Sequence, residues 1–231
     1  MPPPPSPATT GSIPRAPASI PTPAPHPSAT PAPRPRRKND EGIIVSPHAK
    51  VLYTQVGWAS WYGPGFDHRR GANGEVFDTN KMTAANRTLP LNSIVRVTDL
   101  KTSESVVVRI TDRGPFVGDR ILDLSRAAAR RLSVFQHGTA LVRMDVLETP
   151  ASLTHGGRWC VQIGAFPDHE EAAMLKRKLT RRYHTAKVLQ FTSPMGGDWL
   201  RVLVANDDKQ RAEALIRETH TDATKFLVRI D

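Results

Sequence analysis

The prolines decide first what this chain can fold into. Fifteen of its 21 prolines fall within residues 1–50, in a Pro/Ala/Thr/Ser stretch that closes on a short basic run over 34–38. Such a composition buries too little apolar surface to offset chain entropy, so residues 1–50 are expected to form a disordered tether of polyproline character. At ~3.1 Å per residue, its first 45 or so residues would reach roughly 140 Å as a semi-rigid spacer. A proline-motif ligand for a partner domain is the other reading of the same stretch. About 180 residues remain to build a core, enough for two small ones or one of medium size.

The formal charge of +10 is spread rather than concentrated: +4 over residues 1–50, +3 over 51–150 and +3 over 151–231. A diffuse positive field favours polyanions without choosing among them, and no basic block demands nucleic acid. The single cysteine, Cys160, excludes an intrachain disulfide and a multi-cysteine zinc site, and its apolar surroundings predict a buried, inert thiol. No run of about 20 apolar residues is present to span a membrane. Met1 leads directly into PPPPSPATT, without a charged or apolar leader. Either the chain is cytoplasmic, or the sequence starts downstream of an export signal.

Residues 51–149 read as short β-structure. The β-branched runs 94–97 and 106–110 are strands joined by a hairpin turn over 100–105, with a further strand at 121–124. Ser125 is placed to cap one short helix, AAARRL, and 139–147 alternates as a closing strand. Many short strands with one helix predict a small closed barrel. A linker over 150–158, with Pro150 and Gly156-Gly157, ends that rhythm. Residues 159–231 then follow the order βαββαβ, which predicts a four-stranded antiparallel sheet with both helices on one face and the other face open.

The chemistry is sought between Gly71 and Phe116. Glu75 follows Asn73-Gly74, a pair that supplies a positive φ, and Asp112 ends a strand just before Arg113-Gly114-Pro115. Two acids projecting from tight turns of one small barrel suit glycosidic-bond cleavage, where one carboxyl protonates the leaving oxygen and the other supports the developing positive charge or activates a nucleophile. Asp123, inside ILDLS, reads instead as a structural carboxylate taking backbone hydrogen bonds. His68 and His137 read as solvated loop residues, because no further ligands stand at metal-binding spacing. Neither a nucleotide fingerprint nor a local nucleophile signature occurs, so neither metal nor cofactor is expected.

Aromatic residues add a binding reading. Strand alternation sets Trp61 opposite Trp58 and Tyr62, leaving one side for the core and one to stack on a sugar ring. In the C-terminal part, Val161, Ile163 and Ala165, with Leu200, Val202 and Val204, form the aliphatic, helix-packed sets. Gln162, Phe166, Trp199 and Arg201 are left for the open sheet face, where they would meet a polysaccharide. An ordinary amphipathic sheet is the alternative.

GANGEVFDTNKMTAANRTLPLNSIVRVTDL, VRITDRGPF and RILDLSRAAARRL together resemble the rare lipoprotein A family, and WCVQIGAF with WLRVLVA resemble that family's C-terminal SPOR domain. The resemblance implies a six-stranded double-psi β-barrel followed by an α+β SPOR domain. It implies a periplasmic, septal lytic transglycosylase that cuts the MurNAc-GlcNAc bond of denuded glycan strands and leaves 1,6-anhydro-MurNAc ends, with the SPOR domain binding those strands. The family's catalytic acids match Glu75 and Asp112. Asn86 stands where many members carry a histidine linked to the active site, and is expected to orient substrate together with Trp61 and Tyr62. Two further departures are Gly71 in place of a threonine, and Asp67-His68 in place of His-Gly. The family is usually lipid-anchored, yet Cys160 lies inside the SPOR strand, so membrane contact requires an anchor that this sequence does not contain. Division proteins are candidate partners, and nucleic acid is not expected. Two rivals stand beside this reading: a non-catalytic septal glycan-binding protein, and a glycoside hydrolase that uses water.

Overall fold

The computed structural model describes residues 43–231 apart from 44, 47, 64, 194 and 195, so the tether expected over 1–50 lies almost wholly outside the described residues. Six strands build the first domain: β1 (Tyr53–Trp61), β2 (Thr83–Ala85), β3 (Ile94–Asp99), β4 (Ser105–Asp112), β5 (Arg120–Leu124) and β6 (Thr139–Glu148). They close into a barrel in the order β1-β5-β2-β4-β3-β6. The pairs β1/β5 and β2/β4 are parallel, and the remaining neighbours are antiparallel. Period-2 alternation sends Val95 and Val97, Val106, Val108 and Ile110, and Val142, Met144 and Val146 into one packed interior.

Ser125 caps α1 (Arg126–Ala129) as expected, its hydroxyl accepting from the Ala128 N–H at 3.2 Å. A second short helix, α2 (Val134–His137), carries His137, which is therefore helical rather than in a loop. Strand β2 was also not expected. Its three residues are buried on both faces and show no alternation, yet it holds the barrel shut between β4 and β5.

The C-terminal domain is β7 (Trp159–Phe166), α3 (His169–Arg182), β8 (Lys187–Thr192), β9 (Asp198–Leu203), α4 (Lys209–Glu218) and β10 (Thr224–Arg229). This is the predicted βαββαβ order, folded as an antiparallel sheet β10-β7-β9-β8. Asp168 and Asp208 cap the two helices, accepting from the backbone N–H groups of Glu170 and Arg211. The helices press Ala172, Leu175, Leu179, Ala212 and Leu215 onto Val161, Ile163, Leu200 and Val202.

Two expectations for this sheet are corrected. The β7/β9 register slips between Ile163 and Phe166, so the alternation that grouped Phe166 with Gln162 breaks. Phe166 is buried in the helix-side core, and Ala165 is the exposed residue. Gly164 permits this with φ +152, and a Cβ there would lie 2.7 Å from the Trp199 ring and 3.0 Å from the Asp198 carbonyl oxygen. Gly164→Ala is therefore expected to destabilise the C-terminal domain by about 2–4 kcal/mol, combining backbone strain with overpacking. Its thermal unfolding midpoint, followed by circular dichroism, should fall by several degrees.

The second correction concerns the face away from the helices, which is not open. Phe116 of the barrel packs there against Trp199 and Phe226, with ring centroids 5.8 and 5.7 Å away. Gln162 and Trp199 are buried. Arg201 donates to the Gln162 side-chain oxygen at 3.2 Å and lies over the Phe191 ring. Cys160 is buried in the same cluster, and burial pushes its thiol up to about 11, in keeping with an inert group.

Candidate active site

Neighbouring strands of the barrel bring two acids into one row. Strand register pairs Asp112 of β4 with Ala85 of β2, Ala85 with Asp123 of β5, and Asp123 with Ser60 of β1. Two strand spacings put the Asp112 and Asp123 backbones about 10 Å apart, with only the small Ala85 between them. Gly114 closes over the row, its Cβ position 3.7 Å from the Ala85 methyl and 3.9 Å from an Asp123 oxygen.

Asp112 is firmly held. Its Oδ1 accepts from the backbone N–H groups of Ala72 at 2.9 Å and Arg113 at 2.8 Å, and its Oδ2 from the Tyr62 hydroxyl at 3.2 Å. Burial raises this carboxyl above its ordinary range, outweighing the lowering pull of those three donors. Asp123 is raised as well, by burial first and by the Asp112 charge to a lesser degree, while the Ser60 hydroxyl bonded to it works in the opposite direction. Tyr62 is buried against Phe66 and Phe77, and burial together with the two acids keeps its phenol protonated.

Glu75 is set by the opposite physics. The turn predicted around it forms: Gly74 takes φ +84, and the Asn73 side-chain oxygen accepts from the Glu75 N–H at 3.0 Å. The Asn73 N–H donates to the Thr111 carbonyl at 3.2 Å, tying this turn to the end of β4 one residue before Asp112. Both Glu75 carboxylate oxygens accept from the Arg109 guanidinium, at 2.9 and 2.7 Å, and those bonds hold the carboxyl below its usual range. Glu75 and Asp112 line one shallow depression with Gly71, Asn73, Phe77 and Thr111. Its enclosed space of about 10 Å³ suits roughly one water, so a larger ligand would lie across this depression rather than within it.

Of the residues expected to orient substrate, only Tyr62 reaches the acids. Trp61 packs on Phe135, centroids 5.0 Å apart, at the edge of the barrel core, and Trp58 is the exposed indole. The β1/β5 register shifts between Trp58 and Ala59, which removes the alternation that had grouped Trp58 with Tyr62. Asn86 is corrected too. Its side chain is buried, donating to the Ile121 carbonyl at 2.9 Å and accepting from the Thr88 and Leu89 N–H groups at 2.9 and 2.8 Å, which leaves nothing to offer a substrate. Arg109 and Asp123 join the site without having been expected there. The available signals were a charged residue on the outward positions of β4, and an acid interrupting an apolar strand.

Comparison with known proteins divides the chain at the same place as its fold. Residues 54–144 match a family described as lytic transglycolase, and residues 155–227 match the SPOR domain. Among curated proteins, the endolytic peptidoglycan transglycosylase RlpA of Campylobacter jejuni is 37% identical over 163 residues, covering 60% of this chain and 58% of its own length. RlpA of Pseudomonas aeruginosa is 38% identical over 164 residues, covering 71% of this chain and 48% of its own length. A probable RlpA of Synechocystis is 54% identical over 100 residues, covering 43% of this chain and 31% of its own length. The chain thus spans roughly a third to three-fifths of the relatives it matches.

Proposed function

The chain belongs to the rare lipoprotein A family, and from that premise we propose that it is an endolytic lytic transglycosylase of peptidoglycan. The observation that carries this reading is the pair of opposed carboxyls on one depression: Asp112 kept protonatable by burial, Glu75 kept ionised by Arg109. Two carboxyl groups whose environments push their pKa values apart are how an acid and an anion are assigned different work in one site.

In the proposed reaction, Asp112 gives its proton to the oxygen linking N-acetylmuramic acid to N-acetylglucosamine, and that C–O bond breaks. The Glu75 carboxylate stabilises the positive charge growing at C1. The muramoyl 6-hydroxyl then attacks C1 and returns its proton to Asp112, leaving a 1,6-anhydro end with no water consumed. Oδ2 is the oxygen that carries the proton, because Oδ1 is already occupied by two backbone donors. The C-terminal domain addresses the enzyme to denuded strands of the division septum, in the cell envelope, and Gln162, Trp199 and Arg201 are its candidate glycan contacts.

Product mass tests this directly. Peptide-free glycan strands incubated with the chain should yield ends one water lighter than reducing ends. Reducing ends would indicate a hydrolase, and intact strands would leave a binding protein. A second measurement tests the role of Tyr62. Its hydroxyl lowers the Asp112 pKa, so Tyr62→Phe should move the alkaline limb of the kcat/KM profile to higher pH. An unmoved limb would separate Asp112 from the titrating acid.

A further inference from the structure

The barrel and the C-terminal domain fall within one compact unit, and the seam between them lies on the sheet face away from the helices. Strand pairing puts Gln162, Trp199, Arg201 and Phe226 on that face. Phe116 fills its apolar end, between Trp199 and Phe226. The Arg87 guanidinium lies over the Phe226 ring at 5.1 Å while donating to the Pro115 carbonyl at 3.0 Å. Polar bonds lock the edge: the Arg229 N–H donates to the Arg87 carbonyl at 2.9 Å, and Arg113 donates to the Asp231 carbonyl at 2.6 Å. Planar rings with a guanidinium beside them are also what a sugar polymer would stack upon.

We infer that Phe116 of the barrel occupies the glycan-binding face of the C-terminal domain in the resting protein, so that barrel and glycan strand compete for it. The inference rests on the reading that this face takes glycan. The same segment reaches the active site, since Arg113 follows Asp112, donates its N–H to that carboxylate, and anchors to the carbonyls of Asn86 and Leu89. A strand that displaces Phe116 from Trp199 therefore frees the loop over residues 113–116 beside the acid. Capture at the sheet and opening at the barrel become one event. A docked state that must open before binding weakens the apparent affinity by the ratio of closed to open molecules.

The experiment compares the full chain with its Phe116→Ala variant by two readouts. The first is amide hydrogen exchange without glycan. The Arg229 N–H bonds across the seam to Arg87, whereas the Ile230 N–H bonds to Arg158 within its own domain and serves as the control. The second is binding of peptide-free glycan strands. Expected are at least tenfold faster exchange at Arg229 with Ile230 unchanged, and at least fivefold tighter glycan binding in the variant. An Arg229 amide as unprotected in the wild type as in the variant would overturn the docking itself. Faster Arg229 exchange with unaltered affinity would overturn the competition. A released face that binds no glycan would overturn the inference together with the reading beneath it.

Discussion

Asp112→Asn is expected to reduce glycan cleavage at least a thousandfold while leaving the protein as stable as before, or more so. The amide keeps the shape of the carboxyl, and its oxygen can still accept from the Ala72 and Arg113 N–H groups that hold Oδ1. It has no proton to give at neutral pH, and a positioned general acid contributes about 10²–10⁴ in rate. A thousandfold loss corresponds to about 4 kcal/mol of transition-state stabilisation. The stability half follows from the sign of the shift. A carboxyl whose folded pKa is raised favours the fold at pH values below its unfolded pKa, and that support is lost as pH rises through the folded value. As pH rises through that folded value, Asp112 becomes a burden on the fold, which the neutral amide relieves. Cleavage of peptide-free strands and thermal unfolding of the same preparation check both halves. A variant that loses activity only because its melting temperature collapses would remove Asp112 from the chemistry.

The sequence was informative where physics is local. Val95 and Val97, or Val142, Met144 and Val146, alternate because one face of each strand meets the core, and such a pattern is visible without coordinates. Glu75 was legible as a projecting acid because Asn73-Gly74 makes its turn from four consecutive residues. Its guanidinium partner was not, since Arg109 lies 34 residues further on and meets it only once β4 closes the barrel. Strand β2 was invisible for another reason: Thr83, Ala84 and Ala85 are all buried, so no face differs from the other. A register slip misassigned Phe166, because alternation assumes an unbroken pleat and Gly164 interrupts it. The open sheet face was a sound deduction for an isolated domain, and it fails because Phe116 comes from the neighbouring one. Asn86 shows the limit of a resemblance, since the matched position is legible but the burial of its amide is not.

The Glu75–Arg109 pair sets the second large effect. Glu75→Gln should lower cleavage by about 10²–10³, because the uncharged amide no longer opposes positive charge at C1, where an electrostatic partner contributes that much. Arg109→Met acts through Glu75 and should behave differently. The guanidinium bonds are the largest cause of the lowered Glu75 pKa, so without them it returns toward its ordinary value. Cleavage needs the ionised form, and the acid limb of the pH–rate profile therefore moves to higher pH. At neutral pH Glu75 stays ionised even without Arg109, so the loss should be only about tenfold and arise from a carboxylate that now wanders. The loop itself should hold, because Arg70 still donates to the Gly74 carbonyl at 2.8 Å and Asn73 still reaches Thr111. In the double variant the two losses should fall short of adding, as expected for residues acting as one unit. Full additivity, or an acid limb that stays in place in Arg109→Met, would mean that the ion pair only braces the turn and that Glu75 takes no part in the reaction.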